Sequence, residues 1–219
     1  MAGKHARVTP TVVFDLDKVL LGGDASTLFL SGRLRQAPRR ALLLLLAAPL
    51  LLPAALVPQL RPLAARAMTR LAVGGRTGSD VEAVASAYSA ALAQKPEAAV
   101  AEAIACVRAH QEAGDIVVVA TGCEQTLARG FLTAIGLGDL RLIGSRATLP
   151  VRRAMGESKV RMLADAGHPA PWAAVYSDSL SDLPLFAGTP RPVLVNADEK
   201  AARRVERTLG RRPETRTWR

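Results

Sequence analysis

Residues 12–20 read VVFDLDKVL, an apolar run that ends in two aspartates two positions apart. Side chains alternate along a strand, so Asp15 and Asp17 point to one side while Leu16 points to the other. Two carboxylates this close repel each other unless a cation or a proton lies between them. A divalent ion would relieve the repulsion, leaving one carboxylate to attack an electrophile and the other to move a proton. The alternative interpretation is a strand that runs into an Asp-rich turn.

Two later segments carry groups that could bind phosphate. Residues 115–122, DIVVVATG, predict a buried strand that ends in Thr121 and Gly122. The hydroxyl can donate to a phosphoryl oxygen, and the glycine lets its backbone N–H come close. Residues 156–163, GESKVRML, predict a loop that enters a helix with Lys159 in its first turn. An ammonium group at that place can neutralise a phosphoryl group.

A fourth segment adds two more carboxylates. Residues 173–182 read AAVYSDSLSD, a predicted strand that is followed by Asp178 and, four residues later, by Asp182. Mg²⁺ prefers oxygen ligands and commonly uses one or two carboxylates, so these two aspartates can complete and brace a magnesium site.

Predicted strands alternate with helical stretches, which indicates a parallel sheet with helices on both faces. The predicted strands are residues 10–16, 116–121, 172–177 and 192–196. Ligands bind beyond the carboxyl ends of the strands in such α/β sheets, and all four segments lie there.

The four segments, in this order, resemble the motifs of the haloacid dehalogenase superfamily of phosphohydrolases. FDLDKVL is similar to the first motif, ATG to the second, the lysine of GESK to the third and YSDSLSD to the fourth. The resemblance covers residues 8–22 and 111–198. It implies a Rossmann-like α/β core, which we expect to consist of residues 1–22 and 111–219, with a helical cap inserted at 23–110.

The resemblance also implies a mechanism and a ligand set. Asp15 would form an aspartyl-phosphate, and Asp17 would protonate the leaving oxygen and then activate water. The phosphoryl group would be held by Thr121, Gly122 and Lys159. Mg²⁺ would be held by Asp15, the backbone carbonyl of Asp17, Asp178 and Asp182. One departure from the family is Val19, which stands where threonine is usual.

The insertion contains an apolar segment. Residues 41–58, ALLLLLAAPLLLPAALVP, have no charged side chain and a length near the lower limit for a membrane span. Three prolines argue against a straight helix: Pro49, Pro53 and Pro58. Arginines on both sides favour entry and exit on the cytoplasmic side: Arg33, Arg35, Arg39 and Arg40 before it, and Arg61, Arg66 and Arg70 after it. We therefore predict a re-entrant or interfacial helical hairpin; the alternative is a buried helix pair in an ordinary cap.

Charge indicates an anionic partner. The chain has a formal net charge of +10, and residues 25–79 contain eight arginines and no acidic residue. Anionic lipid headgroups attract such segments by about 1 kcal/mol for each basic residue near the surface. Nucleic acid is disfavoured because the insertion lacks interleaved aromatic residues for base stacking. We expect an anionic membrane surface as partner and the cytoplasmic side of the membrane as location, with the cytoplasm as the alternative.

The apolar insertion narrows the expected substrate. LRQAPRRALLLLLAAPLLLPAAL, RAMTRLAVGG and RAMGESKV resemble the phosphatidylglycerophosphatase C-like branch of the superfamily. This resemblance implies hydrolysis of phosphatidylglycerophosphate to phosphatidylglycerol and phosphate. Three alternatives remain open: a soluble phosphatase for a small metabolite such as phosphoserine, phosphoryl transfer to another acceptor on the same scaffold, and a non-enzymatic membrane-binding protein. The sequence does not indicate an oligomeric state.

Overall fold

A single parallel sheet organises the chain. The computed structural model describes residues 9–36, 38–57, 59–60, 63–64, 67, 79–95, 97–146 and 153–218. Within them the sheet has six strands in the order β3-β2-β1-β4-β5-β6, and each neighbouring pair is parallel. The strands are β1 (Thr11–Phe14), β2 (Ile116–Glu124), β3 (Arg141–Ser145), β4 (Ala174–Ser177), β5 (Pro192–Val195) and β6 (Glu214–Arg216). The predicted parallel α/β sheet is confirmed.

Two strands were not predicted. β3 alternates between exposed and buried side chains over only five residues, and β6 is a polar segment of three residues, ETR. Both lie at the edges of the sheet, where a strand needs less apolar surface than a central strand.

Eight helices are described. They are α1 (Ala25–Gln36), α2 (Pro38–Leu56), α3 (Ser79–Ala93), α4 (Ala101–Glu112), α5 (Gln125–Ala134), α6 (Glu157–Asp165), α7 (Leu183–Ala187) and α8 (Glu199–Leu209). Strand alternation assigns five of them to the two faces of the sheet. Val12 and Phe14 pack in one core with α4 and α5, whereas Val13 packs in the other with α6, α7 and α8.

The chain before and after most of the predicted insertion forms two adjacent segments. Gly22 N donates to Ala98 O at 2.9 Å, and Val100 N donates to Leu20 O at 3.1 Å. From there α4 packs on the sheet through Ala103 and Val107. The end of the cap at residue 110 remains a prediction. The packing of α4 on the sheet favours an earlier end, before α4 begins.

Helix α3 of the insertion is docked tightly on helix α5 of the core. Ser89 Oγ donates to the carbonyl of Leu127 at 2.9 Å in a buried contact. A Cβ added at Gly130 would lie 3.0 Å from Ser89 Cβ and 3.2 Å from Ser86 Cα. The glycine therefore lets the two helix backbones approach closely.

Helix α2 corrects the predicted hairpin. It is one helix that continues through Pro49 and Pro53, so the prediction of a hairpin within residues 41–56 is wrong. Both prolines lie on the exposed side of the helix, where a carbonyl freed by a proline ring can meet solvent. Pro58, Arg61, Arg66 and Arg70 lie outside the described residues.

The apolar side chains of α2 are largely exposed. Leu50 is 77% exposed and Leu56 is 84% exposed, so the alternative of a buried helix pair does not hold for this helix. No helix in the described part of the chain combines the length and the apolar character that crossing a membrane requires.

Candidate active site

The site lies at the carboxyl ends of the central strands. The register pairs Phe14 of β1 with Val119 of β2 and with Tyr176 of β4. Asp15, the next residue, donates its backbone N–H to the carbonyl of Tyr176 at 2.8 Å. The segments around Asp15, Thr121 and Asp178 therefore reach the same edge of the sheet, as the sequence predicts.

Lys159 joins two of the predicted aspartates. Its Nζ lies 2.9 Å from Asp182 Oδ2 and 3.4 Å from Asp15 Oδ1. The lysine stands in the first turn of α6, which begins after Gly156, a glycine with a positive φ of 52°. All three side chains are buried, with residue exposures of 2% for Lys159, 8% for Asp15 and 1% for Asp182. One ammonium thus lies beside two carboxyl groups in a region from which water is largely excluded.

Asp182 is held by a residue that sequence reasoning missed. Ser177 Oγ donates to Asp182 Oδ2 at 2.7 Å, and both side chains are buried. The serine lies within the YSDSLSD motif, but its position in the sequence does not distinguish it from the serines of an ordinary turn. Asp182 Oδ1 is buried and has no hydrogen-bond partner among the described residues. The assignment of Asp182 as a metal ligand remains a prediction, since its other oxygen is shared by Lys159 and Ser177.

Asp17 is tied to the start of the insertion. Its Oδ1 accepts a hydrogen bond of 2.7 Å from the N–H of Ala25, the first residue of α1. Burial raises the pKa of Asp17 to about 6; the Ala25 N–H opposes this, and the charges of Asp24 and Asp178 add to it. A carboxyl with this pKa can exist in both protonation states near neutral pH, as an acid and base requires.

Burial also controls the charges around Asp15. It raises the pKa of Asp15 to about 8, with the Lys159 ammonium opposing the shift and Asp182 and Asp17 adding to it. For Lys159, burial lowers the pKa, but the charges of Asp15 and Asp182 outweigh it and the net shift is upward. Lys159 is therefore a permanent cation, whereas ionised Asp15 requires further positive charge in the site.

Thr121 and Gly122 lie inside β2, near its carboxyl end. Thr121 is buried, and its Oγ1 accepts from Cys123 N at 3.0 Å, which leaves the hydroxyl proton to donate elsewhere. Gly122 is exposed, and its carbonyl accepts from Ser145 Oγ at 2.8 Å. Their predicted role as phosphate-binding groups fits this arrangement and remains a prediction.

Val19 is accommodated by backbone hydrogen bonds. The N–H groups of Val19, Leu20 and Leu21 all donate to the carbonyl of Leu16, at 3.3, 3.0 and 2.9 Å. The Val19 side chain is fully buried among apolar residues. The loop after Asp17 is thus held without the hydroxyl that is usual in the family.

Lys18 and Asn196 also border the site and were not predicted. Lys18 Nζ lies 3.7 Å from Asp178 Oδ2, and Asn196 Nδ2 donates to the carbonyl of Lys18 at 3.2 Å. Burial raises the pKa of Asp178, while the Lys18 ammonium opposes the rise and Asp182 adds to it. Both residues have positive φ, 55° for Lys18 and 51° for Asn196. Lysine is unusual in that conformation, but the sequence alone does not reveal a backbone angle.

The donors fit a magnesium ion. No three His, Cys, Asp or Glu side chains in the described ranges are grouped closely enough to form a metal site by themselves. The implied set needs only the carboxylates of Asp15 and Asp178 with the backbone carbonyl of Asp17, because Mg²⁺ keeps several waters. The upward pKa shifts of both carboxyls and the buried, unpartnered Oδ1 of Asp182 show acidic oxygens that a cation would satisfy.

Solved structures share this fold. A protein of unknown function from Bordetella pertussis Tohama I is 22% identical, with a TM-score of 0.56 over 94% of this chain and 99% of that one. A phosphoserine phosphohydrolase-like protein from Francisella tularensis subsp. tularensis SCHU S4 is 11% identical, with a TM-score of 0.56 over 90% and 92%. A phospho-aspartyl intermediate analogue of phosphoserine phosphatase is 10% identical, with a TM-score of 0.52 over 96% and 94%. At these identities the likeness concerns the fold.

The family follows from a match along the sequence. No curated protein matches the chain significantly. A model of haloacid dehalogenase-like hydrolases matches residues 12–187, which include the segments that carry Asp15, Thr121, Lys159 and Asp178. These residues meet at one edge of a parallel sheet, and the chain belongs to the haloacid dehalogenase-like hydrolase family.

Proposed function

We propose that this hydrolase is a magnesium-dependent phosphomonoesterase that forms an aspartyl-phosphate on Asp15. The observation that carries the proposal is the buried ammonium of Lys159, which lies 3.4 Å from Asp15 Oδ1. A fixed cation beside a carboxylate nucleophile can offset the charge of an incoming phosphoryl group. Family membership supports hydrolysis, and the fold shared with a phospho-aspartyl analogue of phosphoserine phosphatase is compatible with a covalent intermediate.

In the first half-reaction Asp15 attacks phosphorus in line with the leaving oxygen. Asp15 Oδ1 accepts from Leu16 N at 2.8 Å and faces Lys159, so we assign Oδ2 to the attack. The bond from Oδ2 to phosphorus forms, the bond from phosphorus to the ester oxygen breaks, and Asp17 gives its proton to the departing alkoxide. Lys159 and the Thr121 hydroxyl hold the phosphoryl oxygens during transfer.

In the second half-reaction Asp17 removes a proton from water, and the resulting hydroxide attacks the phosphorus of the aspartyl-phosphate. The bond between Asp15 and phosphorus breaks, so inorganic phosphate leaves and both aspartates return to their initial states. When bound by Asp15, Asp178 and the Asp17 carbonyl, Mg²⁺ would offset negative charge on the phosphoryl oxygens.

We further propose that the substrate is phosphatidylglycerophosphate, presented at a membrane surface on the cytoplasmic side. Support comes from α2, whose exposed side chains between Leu42 and Leu56 are all apolar. At 3.6 residues per turn, its exposed side chains cover an arc of about 180°. They are Leu42, Leu43, Leu45, Leu46, Pro49, Leu50, Leu52, Pro53 and Leu56. The opposite side, with the partly buried Ala47, Ala48, Leu51 and Ala54, faces the protein.

This geometry suits a helix that lies in the interface plane of a bilayer. An apolar face of this width would enter the boundary between headgroups and acyl chains. The exposed Arg35 and Arg39 precede it and would meet anionic headgroups. The resemblance of the insertion to the phosphatidylglycerophosphatase C-like branch points to the same substrate.

Phosphate release tests the chemistry and the substrate together. The wild-type enzyme and Asp15→Asn are incubated with phosphatidylglycerophosphate, phosphatidate and phosphoserine, with and without Mg²⁺. We expect Mg²⁺-dependent release that is greatest for phosphatidylglycerophosphate and is lost in the variant. Equal release by Asp15→Asn would remove the nucleophile assignment. Preference for phosphoserine would instead support a soluble phosphatase of small metabolites.

Vesicle flotation tests the membrane surface. Leu46→Gln with Leu50→Gln places two amides on the exposed face of α2, and Leu46→Met with Leu50→Met is the size-matched apolar control. We expect the glutamine variant, but not the methionine variant, to lose binding to vesicles that contain phosphatidylglycerol. Binding that is unaffected by the glutamines would overturn the role of α2.

A further inference from the structure

Lys18 places a second cation at the site, in addition to Lys159. Its Nζ lies 3.7 Å from Asp178 Oδ2. The two side chains differ in environment, since Lys18 is 61% exposed and Asp178 is 17% exposed. The ammonium of an exposed lysine thus lies beside a carboxylate that is mostly buried.

The backbone of Lys18 holds this position. Its φ of 55° lies in the left-handed region, where a Cβ is unfavourable and glycine would be relaxed. The N–H of Lys18 donates to Gly23 O at 3.1 Å, and its carbonyl accepts from Asn196 Nδ2 at 3.2 Å. The loop therefore carries a charged side chain in a conformation that does not favour one, which indicates a role for the side chain itself.

We propose that Lys18 competes with Mg²⁺ for the carboxylate of Asp178 and thereby lowers the affinity of the site for the ion. This inference rests on the magnesium site of the proposed function. A cation within 4 Å of a ligand oxygen repels a divalent ion at that oxygen. Moving the Lys18 ammonium away from Asp178 costs little free energy, because the exposed side chain can turn into solvent. The competition should therefore be modest and should weaken with salt.

Titration calorimetry with Mg²⁺ tests this in the full-length enzyme. Lys18→Met removes the charge but keeps the length and the backbone demand of the side chain. Lys18→Arg keeps the charge. We expect Lys18→Met to bind Mg²⁺ about three- to tenfold more tightly than wild type, as removal of one nearby surface charge allows. Lys18→Arg should stay within about twofold of wild type.

Ionic strength and the variant Lys18→Gly provide two further tests. The gain in Lys18→Met should shrink between low and high ionic strength. Lys18→Gly removes the charge and the backbone strain together, and it should also bind Mg²⁺ more tightly if Lys18→Met does not fold. Unchanged affinity in both variants would overturn the inference. Weaker binding would also overturn it, because Lys18 would then orient Asp178 for the ion.

Asp178→Asn separates this inference from the magnesium site itself. Loss of Mg²⁺ binding in Asp178→Asn, combined with wild-type affinity in Lys18→Met, would leave the magnesium site standing and remove only the role of Lys18. Wild-type affinity in Asp178→Asn, or absence of Mg²⁺ binding by the wild-type enzyme, would overturn both.

Discussion

Lys159 and Asp182 form a buried ion pair in which Nζ lies 2.9 Å from Oδ2, and Lys159 Nζ is also 3.4 Å from Asp15 Oδ1. Asp182 therefore fixes the ammonium that faces Asp15, the proposed nucleophile. Because Ser177 Oγ also donates to Asp182 Oδ2, the pair belongs to a small polar network at the end of β4. Its members depend on one another more than exposed ion pairs do.

Asp182→Asn tests this dependence. The substitution removes one charge from a buried pair, so we expect the free energy of unfolding to fall by about 3 kcal/mol. We also expect kcat to fall at least tenfold, because Lys159 can shift toward Asp15. Urea unfolding and steady-state phosphate release measure the two effects. The control is Glu199→Gln, which breaks an exposed pair with Arg212 and should cost less than about 1 kcal/mol. Wild-type behaviour of Asp182→Asn would show that the pair does not organise the site.

Asn196→Asp tests the contact between the end of β5 and the loop that carries Lys18. Aspartate also tolerates positive φ and can still accept from Trp218 N, as Asn196 Oδ1 does at 2.8 Å. It cannot donate to the Lys18 carbonyl. We expect kcat to fall by about fivefold, equivalent to one hydrogen bond of about 1 kcal/mol, with little change in KM. Asn196→Gly removes both side-chain contacts and should lose no less activity. Unchanged kcat in Asn196→Asp would show that the loop holds its position alone.

Gly130→Ala tests the docking of α3 on α5. Alanine normally favours a helix over glycine by about 1 kcal/mol. At this position the new Cβ would lie 3.0 Å from Ser89 Cβ and 3.2 Å from Ser86 Cα. The helices must then separate and strain the buried bond from Ser89 to Leu127, so we expect a net loss of about 1–3 kcal/mol in the free energy of unfolding. Chemical denaturation measures this free energy. A gain in stability would contradict the prediction, because it would show that α3 and α5 can accommodate the added methyl group.

His168 should make stability depend on pH. Its Nε2 lies 3.1 Å from Arg141 Nη1, a donor, so the ring accepts and is neutral. Burial, and then the Arg141 charge, lower the pKa of His168 below 6.5. Protonation therefore favours the unfolded state. This contribution to stability is complete above pH 6.5 and is lost as the pH falls below it, by at most about 1.4 kcal/mol per pH unit.

Comparison with His168→Gln isolates this effect. The glutamine oxygen can accept from Arg141 but does not titrate, so the difference in unfolding free energy between the two proteins should change between pH 7.5 and 5.5. The raised pKa values of Asp15 and Asp17 contribute with the opposite sign, since their stabilisation is lost as the pH rises. They act in both proteins and cancel in the difference. A difference that is constant with pH would contradict the prediction.

Much of the fold was predictable because it depends on local patterns. The apolar runs before Asp15, Thr121 and Asp178 identify three central strands, and parallel strands bring their carboxyl ends to one edge. Edge strand β6 and the continuous helix α2 were missed for a shared reason. The three-residue polar strand is stabilised by pairing with its neighbour β5, and the prolines of α2 are tolerated because they lie on the exposed side of the helix. Neither the pairing nor the exposure can be inferred from the segment alone.

The sequence by itself determined that Asp15, Thr121 and Asp178 arrive at the site, because side chains at the ends of buried strands must emerge at the edge of the sheet. Only the tertiary structure decided which side chains of the site touch. Lys159 meets Asp182 across 23 positions, and Asn196 meets Lys18 across 178. Coulombic and hydrogen-bond energies depend on separations of a few ångströms. Such separations are set by how the loops pack on the sheet, and they appear only when the whole chain is folded.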